Sequence, residues 1–168
     1  MMKKFHGLEQ IWTISQIRNG KVLWTETKKN IIPNEGEEAF VDTFYRNNAA
    51  SYFAADLFYV GFYYGSVGES TVLATIPNEP SGSGYARVAV ERSNVGWPTK
   101  EKHENDWRVV SKTITITASG GDIGPINGAF LCTSSNGTGV LIGAVAMKVS
   151  RTIPAGDKVE FTIRAKQK

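Results

Sequence analysis

The chain has 168 residues, 41% hydrophobic and 21% charged, with one cysteine and a formal net charge of +3. That length suits one ordinary domain able to bury a core without cross-links, and Cys132 has no second cysteine to pair with. No apolar run approaches the roughly 20 residues needed to span a bilayer, and no secretory stretch opens the sequence, so a reduced-compartment protein outside the membrane is expected.

Seventeen glycines, six prolines and many Val, Ile, Thr and aromatic residues point to a β-rich chain with frequent turns. The basic excess lies near the two ends, at Lys3, Lys4, Lys28 and Lys29 and again at Lys148, Arg151, Lys158, Arg164, Lys166 and Lys168. Such a distribution fits tails and edge strands better than a nucleic-acid surface, because lysines on an edge block unwanted strand pairing.

In chain order, Met1 to Gly7 has no periodicity and reads as an N-terminal arm. Ile11 to Ile17 and Val22 to Thr27 flank Asn19-Gly20, the pair that two-residue hairpins favour because both positions need φ > 0. The pattern predicts Ile17 opposite Val22 and Ser15 opposite Trp24. Both faces are mixed, so the hairpin needs neighbours on each side.

Asn34 can cap a helix, with Glu35, Glu37 and Glu38 in its first turn. Phe40, Val41 and Phe44, with Tyr45 beside them, recur at helical spacing and are expected to face the core. Leu57 to Tyr64 is apolar on both faces and predicts a central strand, with Gly61 allowing close backbone approach. An irregular connection follows to Gly84. Tyr85 to Arg92 then predicts a strand with Val88 and Val90 inward and Arg87 and Glu91 outward.

Asn94 to Asp106 reads as a polar loop around Gly96-Trp97-Pro98. Val109 to Ala118 alternates as a strand, with Lys112 marking a rim. Ile123 to Thr133, Val140 to Val149 and Lys158 to Arg164 supply three more strands, the first bulged or at an edge near Pro125. Turns fall at Asn136-Gly137 and Ile153-Pro154-Ala155-Gly156. The predicted fold is mainly β: an antiparallel β-sandwich or jelly-roll-like barrel with one short helix. An arm and hairpin over 1–30 would join a sandwich over 31–168 whose helix lies near 35–47, making a single compact domain.

Catalytic chemistry finds little support in the residues. His6 and His103 have no Cys or His nearby at metal-ligand spacing, so no metal site is expected, and Cys132 reads as a small buried strand residue. The carboxylates at Glu37/Glu38 and Glu101/Glu104/Asp106 fit helix capping and solubility better than glycosidase-like work. The glycines match neither a phosphate-binding loop nor a dinucleotide fingerprint, so no cofactor is expected. Asn136-Gly137-Thr138 reads as a turn. Trp97, Trp107, Tyr52, Tyr63, Tyr64 and Tyr85 stand near loops, where rings with a polar tip serve contacts. Trp97 with Asn94, Lys100, Glu101 and Asn105 is the one cluster suited to stacking against a carbohydrate.

The order of motifs carries a resemblance. A Gly20-Lys21-Val22-Leu23-Trp24 return strand leads to Asn30-Ile31-Ile32-Pro33-Asn34-Glu35-Gly36 and a helix, followed by Phe58-Tyr59-Val60-Gly61-Phe62 and Tyr85-Ala86-Arg87. Gly128-Ala129-Phe130-Leu131, Gly139-Val140-Leu141-Ile142-Gly143 and Ile153 through Phe161 complete it. From about Ile11 to Lys166 the chain resembles the small virion structural proteins of tailed bacteriophages, described as head decoration (cement) or tail-fibre-like proteins. The resemblance implies a non-enzymatic β-sandwich that assembles as an oligomer, often a trimer. The first reading it supports is a decoration protein on the capsid exterior, assembled in the host cytoplasm and contacting the major capsid protein and copies of itself. Its arm residues Lys3, Lys4 and Phe5, its hairpin residues Trp12 and Trp24, and Trp97 and Trp107 would make the contacts, without nucleic acid or membrane. The alternative is a tail-fibre or baseplate component touching host surface glycans or other tail proteins.

Overall fold

A computed structural model gives the fold of residues 8–53 and 55–167. The elements run β1 (Leu8–Arg18), β2 (Lys21–Lys29), α1 (Asn34–Tyr45), β3 (Leu57–Tyr63), β4 (Val88–Glu91), β5 (Thr99–His103), β6 (Asp106–Val110), β7 (Ile114–Thr117), β8 (Ile123–Cys132), β9 (Leu141–Ile153) and β10 (Lys158–Gln167). Short 3-10 turns lie at Ala49–Ser51 and Leu73–Thr75. The larger antiparallel sheet has the order β2-β1-β10-β6-β5 with β7 also on β10, and the smaller has β4-β3-β8-β9. The expected β-sandwich is therefore the fold, and no helix among the described residues is long and apolar enough to cross a membrane.

Alternation along the strands builds the core between these sheets. On β1 the buried side is Gln10, Trp12, Ile14 and Gln16, and on β10 it includes Val159, Phe161 and Ile163. The Phe161 ring meets Trp12 edge-on at 6.1 Å and Phe62 of the opposite sheet at 5.5 Å, which ties the two layers together. Gly61 behaves as expected, since a Cβ there would stand 2.6 Å from Phe130 Cζ and 2.7 Å from the Tyr85 hydroxyl.

The Asn19-Gly20 hairpin forms, with φ of 49° and 74° at its two turn residues. Ile17 pairs with Val22, but a bulge at Leu23 then places Trp24 opposite Gln16 and Thr25 opposite Ser15. The expected Ser15–Trp24 pairing assumed an unbroken ladder and is one residue out. This hairpin is no appendage, because β1 lies between β2 and β10.

Several boundaries also differ. The polar stretch expected as a loop contains the β5–β6 hairpin, whose paired backbones extend the larger sheet beyond the core. Val109 to Ala118 is two strands, because the chain breaks at Ser111, whose hydroxyl accepts the Ile163 N–H at 2.9 Å in place of a ladder carbonyl. The strand after Tyr85 begins only at Val88, and Arg87 turns inward to Glu79. Around Pro125 the register of β8 against β9 shifts as the proline suggested.

The largest correction concerns α1. Asn34 makes no side-chain cap, and Pro33 occupies the position before the helix. The buried side of α1 is Gly36 and Ala39, whereas Phe44, Tyr45 and Val41 are 67%, 61% and 49% exposed. The reason is distance. A Cβ at Gly36 would lie 2.8 Å and 2.9 Å from the carbonyl oxygens of Leu141 and Ile142, so the helix backbone rests directly on β9 and only small residues fit beneath it. Glu35, in the first turn, reinforces the docking by accepting the N–H groups of Leu73 and Leu141.

Candidate interaction site

Where the sheets part beneath α1, a groove of about 630 Å³ opens to solvent, with Leu131, Ile142 and Ala165 at its base. One side is α1, through Phe40 and Thr43, and the other is the 93–98 turn and the β5–β6 hairpin. The turn depends on Gly96. A Cβ there would lie 2.0 Å from the Glu91 carbonyl oxygen, so only glycine lets the chain fold back on β4 and present Trp97.

Rings line the groove in a chain of edge-on contacts: Trp97 meets Phe58 at 5.9 Å, and Phe58 meets Phe53 at 5.4 Å. The Arg92 guanidinium lies 3.6 Å above the Phe53 ring centre and also pairs with Asp56 at 3.1 Å. Burial pushes the Arg92 pKa down from its ordinary value, while Asp56 works in the opposite direction. Lys100 stands at the rim with its ammonium 5.6 Å from the Trp107 ring centre. Among the described residues, no carboxylate lines this groove. Trp97 Nε1 and Thr43 Oγ1, both in residues of its wall, have no hydrogen-bond partner among the described residues.

The residues singled out from the sequence are distributed unevenly. Lys3, Lys4 and Phe5 lie outside the described residues, as does His6. Trp12 is fully buried, with its indole N–H on Gln10 at 3.2 Å, so the core absorbs it and no neighbour can reach it. Trp24 is half-buried, held by Gln16 at 2.6 Å and covered by the Arg151 guanidinium at 3.8 Å. Trp97 is in the groove, and Trp107 is 61% exposed beside it on β6. Asn94 and Lys100 share the groove with Trp97, but Glu101 turns away to Arg108 at 2.6 Å, which thins out the expected carbohydrate cluster.

The other candidate groups serve the framework. Asp106 pairs with Lys166 at 2.8 Å, and Glu104 occupies the β5–β6 turn with φ of 56°. Among the described residues no three metal-ligating side chains gather. Cys132 is buried, which pushes its thiol up to about 11 and keeps it protonated at neutral pH. Asn136 Oδ1 accepts the backbone N–H of Thr138 at 3.0 Å and so closes the turn expected there.

Sequence periodicity missed the exposed aromatic face of α1, where Phe40 and Phe44 stack at 5.8 Å and Tyr45 meets Phe44 at 4.9 Å. The available signal was the pair of small residues at Gly36 and Ala39, which marks the side able to approach another backbone.

The β-sandwich presents rings and cations around an apolar groove, and the resemblance seen in the sequence places the chain among virion structural proteins of tailed phages. The chain matches the family model described as "Podophage GP4 fiber I protein gp80" over residues 32–167, and it belongs to that family. The match runs from just before α1 into β10 and leaves out β1 and β2, although β1 is an inner strand of the larger sheet. No curated protein and no solved structure matches the chain.

Proposed function

We propose that this phage structural protein is a tail-fibre or tail-fibre-associated component, acting through binding rather than catalysis. The observation supporting this reading is the family match over 32–167, whose description is that of a fibre protein. It favours the tail over the capsid exterior and so the second of the two sequence-based readings over the first. Self-association belongs to the proposal. Exposed Phe44 and Tyr45 on α1, and Trp107 on β6, would be covered in an assembly of copies, with a trimer the expected stoichiometry.

Immunogold labelling of intact particles, combined with counting copies per particle, tests the location. Label on the tail with tens of copies or fewer agrees with the proposal. Label over the head at hundreds of copies restores the decoration reading. Sedimentation of the purified chain tests self-association, and a strictly monomeric chain at high concentration counts against it.

A further inference from the structure

We propose that the groove between α1 and the β5–β6 hairpin is filled by this chain's own N-terminal segment, residues 1–7, with the Phe5 ring as its anchor. This goes beyond the fibre assignment and holds wherever the protein sits in the particle.

The floor of the groove shows where the occupant comes from. Gln10, Ala165, Val109 and Lys100 stand in one cross-strand row of the larger sheet, on β1, β10, β6 and β5 in turn, and all four line the space. Leu8, two residues before Gln10 and on the same face of β1, lines it too. Residues 1–7 therefore join the fold at the groove itself. Phe5 precedes Leu8 by three positions, so its Cα lies within roughly 11 Å of that of Leu8 in any conformation. Gly7, next to Leu8, is the residue type that tolerates the backbone angles of a reversal over the groove. A segment tethered at the rim has a high effective concentration there, whereas one from a second copy carries the full cost of association.

The chemistry of segment and groove agrees. The walls include Phe40, Phe53, Phe58 and Trp97 around a space of about 630 Å³. Met1, Met2 and Phe5 are the apolar side chains of the segment, and burying them there removes apolar surface from water on both sides. Methionine, being unbranched, fills what irregular space the ring leaves. The polar lining is mixed: Arg92 and Lys100 only donate, whereas Gln10, Thr43, Ser93 and Asn94 can also accept. An entering backbone brings N–H and C=O groups alike and needs both kinds of partner, which a hydrocarbon ligand would leave unused. Arg92 is already held by Asp56 and the Phe53 ring, and Lys100 lies against the Trp107 ring, so neither requires an anion from the occupant. Lys3 and Lys4 stay in water, and α1 bears exposed Glu37 and Glu38 that favour their approach.

The test uses the full chain with ¹³C-labelled methyl groups and measures nuclear Overhauser cross-peaks from the Phe5 ring to the methyl groups of Val109 and Ile142. The expected result is cross-peaks in the wild type that are lost in Phe5→Ser. A mixture of labelled and unlabelled chains, filtered for contacts between copies, should show none. Fluorescence of the apolar dye ANS should rise several-fold in Phe5→Ser, as the groove opens, and stay near the wild-type level in Phe5→Leu. Absence of the wild-type cross-peaks would overturn the proposal, and so would ANS fluorescence equal in wild type and Phe5→Ser. Cross-peaks seen only between copies would also overturn it, since a second copy would then be the occupant. The wild-type cross-peaks decide independently of how any variant folds.

Discussion

Arg87 and Glu79 form a two-pronged ion pair, Nε to Oε1 at 2.8 Å and Nη2 to Oε2 at 2.6 Å, with the Arg87 side chain only 3% exposed. The same guanidinium donates to the carbonyl oxygens of Ser134 and Asn136, and it lies 5.0 Å from the Phe130 ring centre. Glu79 in turn accepts the Tyr85 hydroxyl at 2.9 Å, whose oxygen accepts the Phe62 N–H at 2.8 Å. One buried cluster thus holds the long connection before β4 and the loop after β8 against the core. Burial, with Glu79 beside it, raises the Tyr85 pKa well above its ordinary value, so this phenol stays a donor.

Removing Arg87 leaves Glu79, whose side chain is 21% exposed, charged and without its cation. Arg87→Ala should therefore destabilise the fold by about 3–5 kcal/mol, read from urea unfolding. Replacing both Arg87 and Glu79 by apolar residues of similar volume should cost less than Arg87→Ala alone. A double-mutant cycle with no coupling between the two positions would show that the pair is incidental.

Asp157 joins the β9–β10 turn to the first hairpin. Its carboxylate accepts from Arg18 at 2.8 Å and 3.0 Å and from the Gln16 amide, whose oxygen holds Trp24. The Arg18 hydrogen bond, helped by that from Gln16, outweighs desolvation and holds the Asp157 pKa below the ordinary 3.8. A carboxylate with a lowered folded pKa stabilises fully above the unfolded value, and that contribution is lost as the pH falls through the folded value. Wild type should accordingly lose stability as the pH drops below about 4, and Asp157→Asn should flatten part of that dependence while lowering stability at pH 7. Denaturant midpoints measured between pH 7 and pH 2 decide this, and parallel curves for the two proteins would refute it.

Gly36 sets the distance between α1 and β9. Alanine is the better helix former by about 1 kcal/mol, so propensity alone predicts that Gly36→Ala stabilises. The Cβ would meet two backbone oxygens that cannot rotate away. Overpacking of this kind typically costs about 1–3 kcal/mol, so the melting temperature should fall. Gly68→Ala is the control, because a Cβ there meets nothing within 4 Å, and it should change stability by no more than about 0.5 kcal/mol.

Phe44 separates the two views of α1. Truncating a core phenylalanine costs about 3–5 kcal/mol, whereas an exposed one costs little. With 67% of its surface exposed, Phe44→Ser should leave the unfolding free energy within about 0.5 kcal/mol of wild type. If this face joins copies, the same substitution lowers the sedimentation coefficient without unfolding the chain, and analytical ultracentrifugation reads both effects.

Much of the architecture follows from local pattern. Asn19-Gly20 selects its turn through backbone sterics, and the alternation of Val159, Phe161 and Ile163 marks the inner face of β10. Gly61 announces a close approach, and Pro125 announces an irregular ladder. The β5–β6 hairpin was harder to read because its residues are charged. Its strands owe their state to backbone pairing with an already formed sheet rather than to an apolar face.

Length, composition and the one unpaired cysteine already specified a single β-rich chain without disulfides, because turn chemistry and strand alternation are local properties. What they could not specify was which side of α1 faces inward, whether Arg87 is buried, and that Phe40 of α1 and Trp97 line one groove. Those depend on how closely two backbones approach and on which distant residues share a space. Helical spacing alone assigns the bulky face of α1 to the core. The carbonyl oxygens of Leu141 and Ile142, more than a hundred residues away in the chain, leave room only for Gly36 and Ala39 and turn the rings outward.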